Sequence, residues 1–170
     1  MLNKKIAELI NSQINKEFFS AYLYLDMANY YVEEGLNGFA NWMNVQAQEE
    51  RDHAMLFTTY LQNNSESVTL TAIDAPGKNY ENFKVPLEAS LKHEQFVTDS
   101  IHNIYSEAVK VNDFRTVQFL DWFVKEQGEE EKNVEDLIKR YDLFGNDSKG
   151  LYMLDTEVGA RVYAAPSLVL

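Results

Sequence analysis

The chain has 170 residues, no cysteine, and 27 acidic against 15 basic side chains, for a formal net charge of -12. That length suits one domain with a core of its own, and the lack of thiols removes disulfide frameworks, thiolate zinc sites and iron–sulfur clusters. So acidic a chain repels phosphate backbones and anionic membrane surfaces, which sets nucleic acid and membranes aside as partners.

Seven glycines and three prolines leave long uninterrupted segments, a punctuation that favours helices over many short strands. From Leu2 to about Val32, apolar or small residues recur at Ile6, Ile10, Ile14, Ala21, Tyr24, Ala28 and Tyr31, the spacing of one helical face, and Glu17 falls in its middle. This opening lacks the apolar run and small-residue cleavage site of a signal peptide, and no segment is apolar enough to span a bilayer. A cytoplasmic protein is the expectation. The segment VEEGLNG ends the first pattern, with Asn37 as the expected cap of a second helix. Its stripe reads Phe39, Trp42, Gln46, Glu50, His53, Phe57 and Tyr60, so Glu50 and His53 interrupt an apolar seam.

Periodicity lapses from about Asn63 to Val85, a connection much longer than a helical hairpin needs and long enough to cross over along a bundle. Pro86 suits the first turn of a third helix, with Leu87, Leu91, Glu94, Thr98, Ile101, Tyr105 and Ala108 on one face. A fourth pattern follows the break at VNDF: Val117, Leu120, Val124, Gln127, Glu130, Val134, Leu137 and Tyr141, ending near Gly145. A shorter fifth helix is expected between about Asp147 and Tyr163, and the apolar tail SLVL reads as a subunit contact. The expected fold is all-α: a four-helix bundle over 1–145 with a long crossover between helices 2 and 3, and a short C-terminal helix and tail over 146–170 in the same domain.

Each long helix thus has a polar interruption near its midpoint, and the bundle brings these into one layer of Glu17, Glu50, His53, Glu94, Gln127 and Glu130. Burying several carboxylates together is strongly unfavourable without counter-charge, whereas two cations would neutralise them and use nearly every oxygen. Oxygen ligands with one imidazole suit iron, and would accept manganese or zinc.

Di-iron carboxylate bundles of the ferritin-like kind take one Glu from each of two helices and a Glu-x-x-His motif from each of the other two. Here Glu17 and Glu94 match the single carboxylates and Glu50-Arg51-Asp52-His53 the motif, since i and i+3 share a helical face. The fourth helix departs from the template with Gln127-Gly128-Glu129-Glu130, an amide and a carboxylate in place of Glu and His. Glu17, Tyr24 seven residues on, EERDH from Glu49 to His53, Glu94 and EQGEEE from Glu126 form a rare ordered set. On these residues the chain resembles the bacterial non-haem ferritins over essentially its whole length.

The resemblance implies a ferritin-like bundle assembled as a homo-oligomeric shell of twenty-four subunits, storing iron as a ferric oxyhydroxide mineral. It also implies ferroxidase activity, with Fe(II) oxidised by O2 or peroxide at a centre holding two irons per chain. Carried over by position, Glu17, Glu50 and His53 would hold one iron, and Glu50 would bridge to a second held by Glu94 and Glu130, with Gln127 completing that region. Glu49, Glu126 and Glu129, sharing Glu130, would match an adjacent third iron site. Tyr24 and Trp122 match aromatic residues near the centre that can donate an electron in this family, though both also suit plain core packing.

Neighbouring readings fall away residue by residue. Haem is not expected, because Arg51 stands where bacterioferritins carry the haem-ligating methionine after the ExxH glutamate. A rubrerythrin-like peroxidase would need cysteines. A secreted cytokine-like bundle would have a seam free of carboxylates. The remaining alternative is a shell subunit that stores iron without significant oxidation of its own.

Overall fold

The computed structural model of the chain describes residues 2–77 and 79–170 and contains, among these, five helices and no strand: α1 (Lys4–Glu33), α2 (Asn37–Asn63), α3 (Val85–Lys110), α4 (Phe114–Phe144) and α5 (Ser148–Val158). α1 starts on Asn3, whose side chain accepts from the Lys5 amide, and Asp113 opens α4 in the same way through the Thr116 amide. Gly35, at φ +78°, turns the chain between α1 and α2 through a backbone region that disfavours residues with a Cβ.

Asn37 is not the cap of α2. It is the first helical residue, preceded by Leu36, which offers no side-chain acceptor. The free amide of Phe39 is taken up instead by Asp155 of α5, at 2.9 Å. This contact needs Gly38: a Cβ there would lie 1.7 Å from the Asp155 carbonyl oxygen, so α5 can cross the start of α2 only over a glycine. Cap and crossing therefore depend on each other, which local sequence does not reveal.

The described parts of the connection, 64–77 and 79–84, do run the length of the bundle. Asn11 bonds the backbone of Ser67 and Thr69, Asn15 that of Ala72, Tyr80 bonds Asp26, and Tyr31 bonds the backbone of Phe83. The crossover thus climbs α1 from residue 11 to residue 31, about 30 Å of helix at 1.5 Å per residue. Because it returns the chain to the far end, α2 and α3 run in the same direction, while the α1–α2 and α3–α4 pairs are tight hairpins.

The apolar core is in two parts. One half contains Leu23, Met27, Tyr31, Phe39, Met43, Leu87 and Leu137 with α5's Leu154 and Val158; the other contains Ile6, Ile10, Phe57, Leu61, Ile101, Leu120 and Phe123. In α4 the inward face passes through Phe119 and Phe123, not Val124, which is 37% exposed. The expected stripe runs one residue out of phase there, since either choice fits a three-or-four spacing. α5 ends at Val158, short of Tyr163, with Gly159 following. Residues 161–168 then fold back over the outside of α2 and α4, where Leu168 packs on the second half-core and Val169 is 90% exposed.

Candidate metal centre

Between the two half-cores lies a polar layer. Glu17, Glu50, His53, Glu94, Gln127 and Glu130 are each exposed by 5% or less, and they come from all four long helices near their midpoints. Ligand atoms of Glu17, Glu50 and His53 lie within 4.8 Å of one another, as do those of Glu50, Glu94 and Glu130. The two triads share Glu50. A third grouping joins His53 and Glu130 to half-buried Glu126.

Each carboxylate has one oxygen held and, in most cases, one left over. Gln13 donates to Glu17 Oε1 at 2.7 Å. Gln46 donates to Glu50 Oε1 at 2.9 Å and to Glu130 Oε1 at 2.8 Å. Glu94 has both oxygens engaged, one by the Tyr24 hydroxyl and one by the Gln127 amide at 3.1 Å. Glu17 Oε2, Glu50 Oε2, Glu130 Oε2 and His53 Nδ1 are buried without a hydrogen-bond partner. His53 Nδ1 stands 3.6 Å from Glu50 Oε2, too far for a hydrogen bond and near enough for attraction between charges.

The electrostatics follow from this crowding. Burial, then the nearby Glu50 charge, pushes the Glu17 and Glu130 carboxyls well above the usual carboxylate range and Glu94 up to about 8. Burial also works on Glu50, but the adjacent His53 outweighs it and holds that carboxyl below its ordinary value. Burial alone would lower His53, yet Glu50 and then Glu17 lift it to about 9. Four carboxyls, three of them reluctant to ionise, with unsatisfied atoms aimed into one space, are a poor way to build a core and a suitable way to receive cations. The donor set of carboxylate oxygens and one imidazole fits iron.

The remaining expected residues lie further out. Tyr24 is fully buried, with its phenol on Glu94. Trp122 packs edge-on against the His53 ring at 5.6 Å and donates to Ser167 at 2.9 Å. Glu126 borders the layer, whereas Glu129 is turned to solvent and paired with Lys125 at 3.3 Å. Glu49 is half-buried and ion-paired with Arg161. Sequence reading missed three residues: Gln13 and Gln46, each four residues before a cluster glutamate and so on its helical face, and Arg161, which carries no local signal.

The family model described as the ferritin-like domain matches residues 7–144. A bacterial non-heme ferritin of Campylobacter jejuni is 36% identical over 91% of this chain and 93% of its own, and one of Staphylococcus aureus is 36% identical over 96% and 98%. Among solved structures, an open-pore ferritin from the hyperthermophilic archaeon Archaeoglobus fulgidus superposes with a TM-score of 0.93 at 40% identity, covering 95% of this chain and 100% of that one. The match takes in all four helices that supply the polar layer, and on that breadth of agreement the chain belongs to the ferritin family.

Proposed function

We propose that this protein is an iron-storage subunit with ferroxidase activity, taking up Fe(II) as substrate, oxidising it with O2 or peroxide, and passing the ferric product to a mineral inside a shell of twenty-four copies in the cytoplasm. One observation carries the reading: the four residues with a buried, unpartnered ligand atom, Glu17, Glu50, Glu130 and His53, all belong to the two triads that share Glu50. Glu17, Glu50 and His53 would hold one Fe(II); Glu50, Glu94 and Glu130 would hold the other, with Gln127 beside it. Glu49, Glu126 and Glu129, with Glu130, are the candidates for an outer third ion. No haem is involved.

The protein's part is to hold ligands fixed, exclude water and draw in cations. Gln13 and Gln46 pin one oxygen each of Glu17, Glu50 and Glu130 and leave the other free for a cation, and the net charge of -12 favours cation entry. Tyr24, bonded to Glu94, and Trp122, packed beside His53, would be the electron donors as iron is oxidised.

The test is to load the metal-free protein with Fe(II) anaerobically, admit O2, and follow Fe(III) formation in the wild type and in Glu50→Ala. Rapid oxidation of about two irons per chain, lost in the variant, is expected for a dinuclear centre. A wild-type rate no faster than that of Fe(II) in buffer would overturn the ferroxidase reading and leave storage of iron oxidised elsewhere.

A further inference from the structure

Beside the acidic layer lies a guanidinium brought from outside the four-helix bundle. Arg161 follows α5, and Asn41 anchors the backbone there by donating to the carbonyls of Gly159 and Arg161 at 3.2 and 2.9 Å. The guanidinium lies 4.4 Å over the Trp42 ring, ion-pairs with Glu49, and donates to Gln46 Oε1 at 3.0 Å. Beyond it the segment continues across the same face. Tyr163 bonds Asp52, Ser167 accepts from Trp122, and Ala164, Ala165, Pro166 and Ser167 wall a cleft whose other side is Glu49, His53, Trp122 and Glu126.

Two consequences follow. Gln46 donates from Nε2 to Glu50 and Glu130, so an amide flipped end for end would set its oxygen against both carboxylates; Arg161 fixes the orientation by occupying that oxygen. Glu49, which lines the cleft together with Glu126, already carries its counter-charge. A metal ion using Glu49 together with Glu126 must first displace a stacked guanidinium.

We propose that Arg161 is a built-in cation that closes the outer acidic position beside the dinuclear centre, and that segment 161–167 is a strap over the cleft, so that a third divalent cation binds there only when the Arg161–Glu49 pair opens. The inference rests on the reading of the inner cluster as a site for two cations. Arg161 acts as a positioning residue through Gln46 and as a competitor through Glu49.

Zinc, which is redox-inert and accepts the same donors, is the probe: metal-free protein is titrated by calorimetry and equilibrium dialysis, with Trp emission followed in parallel. The wild type is expected to take two ions tightly, and Arg161→Gln to take a third at least on the order of tenfold more tightly than the wild type does. Arg161→Lys, which keeps the charge and loses the planar stack, should fall between. Glu49→Gln added to Arg161→Gln should remove the extra ion. Should Arg161→Gln fail to fold, Tyr163→Phe with Ser167→Ala loosens the strap while leaving Arg161, and should strengthen the third ion in the same direction and shift the Trp122 emission.

A wild type that takes three ions with equal ease, or an Arg161→Gln protein that is folded and still takes only two, overturns the proposal and leaves the inner site standing. A wild type that takes none overturns the proposed function itself.

Discussion

Gln46 on α2 reaches across the bundle to Glu130 on α4, 84 positions further along the chain, at 2.8 Å. The same amide nitrogen also serves Glu50, so a single neutral side chain braces two carboxylates that repel each other. Gln46→Leu keeps the size and removes both donors. Each stranded buried acceptor costs about 1–3 kcal/mol, so denaturant unfolding of the metal-free variant should show a loss on the order of 2 kcal/mol or more. Affinity for zinc should fall about 10- to 100-fold, the usual range for an outer partner of metal ligands. An unchanged midpoint would mean that the brace carries no weight.

The shared position of Glu50 separates it from its neighbours. Glu17→Ala and Glu94→Ala should each weaken one of two zinc ions in an anaerobic titration, whereas Glu50→Ala should weaken both. Glu129→Ala, at an exposed residue paired with Lys125, should leave both inner ions in place and change stability by less than about 1 kcal/mol. Independent behaviour of the two ions in Glu50→Ala would refute the bridge.

Metal-free stability should fall as pH rises through neutrality. The Glu17, Glu94 and Glu130 carboxyls are raised above their unfolded value of 4.5, so their contribution is complete below it and is lost as pH climbs through the folded values, Glu94's being about 8. His53 behaves alike, lifted from 6.5 to about 9. Glu50, held low, has the opposite sign, but its contribution is fully present above 4.5 and does not vary over this window. Bound cations require the ionised carboxylates, so the rise in thermal midpoint on adding zinc should grow from about pH 6 to about pH 8. A zinc increment that shrinks over that interval would contradict the assignment.

The α5 crossing can be tested far from the metal centre. Asp155→Ala leaves the Phe39 amide without its acceptor and should cost about 1 kcal/mol, as helix caps do. Gly38→Ala forces the two helices apart, because its Cβ would overlap the Asp155 carbonyl. It should cost more than the cap and release Arg161 from Trp42, which a change in Trp42 emission would report. Equal, small effects would mean that α5 is held by other contacts.

The helices and the polar layer were legible because both are periodic: a carboxylate recurring mid-stripe on separate helices is a signal that neighbouring residues can carry. Gln46 stood in the same stripe as Glu50, yet its role is set by Glu130 on another helix, and the sequence has no register between helices. Asn37 looked like a cap because its type is right, while Asp155, much later in the chain, holds the position. Val124 and Phe123 compete for one face, and only packing against Phe57, at 4.2 Å between stacked rings, decides for Phe123. Arg161 falls inside the expected fifth helix, which in fact stops at Val158, and a single arginine there points nowhere until the fold brings Glu49 to it.

Along each long helix the polar layer falls between residues of one half-core and residues of the other. Without metal, each half is a candidate unit for opening by itself, the one around Tyr31 and Phe39 apart from the one around Phe57 and Leu120, because the layer between them holds unpartnered polar atoms and carboxylates that repel each other. Cations held as proposed, by ligands from all four helices, would join the halves, and cargo would then set the cooperativity of the subunit. Amide exchange at the two ends should differ in the empty protein and converge when it is loaded, and an empty shell would be built of subunits that breathe more than those of a filled one.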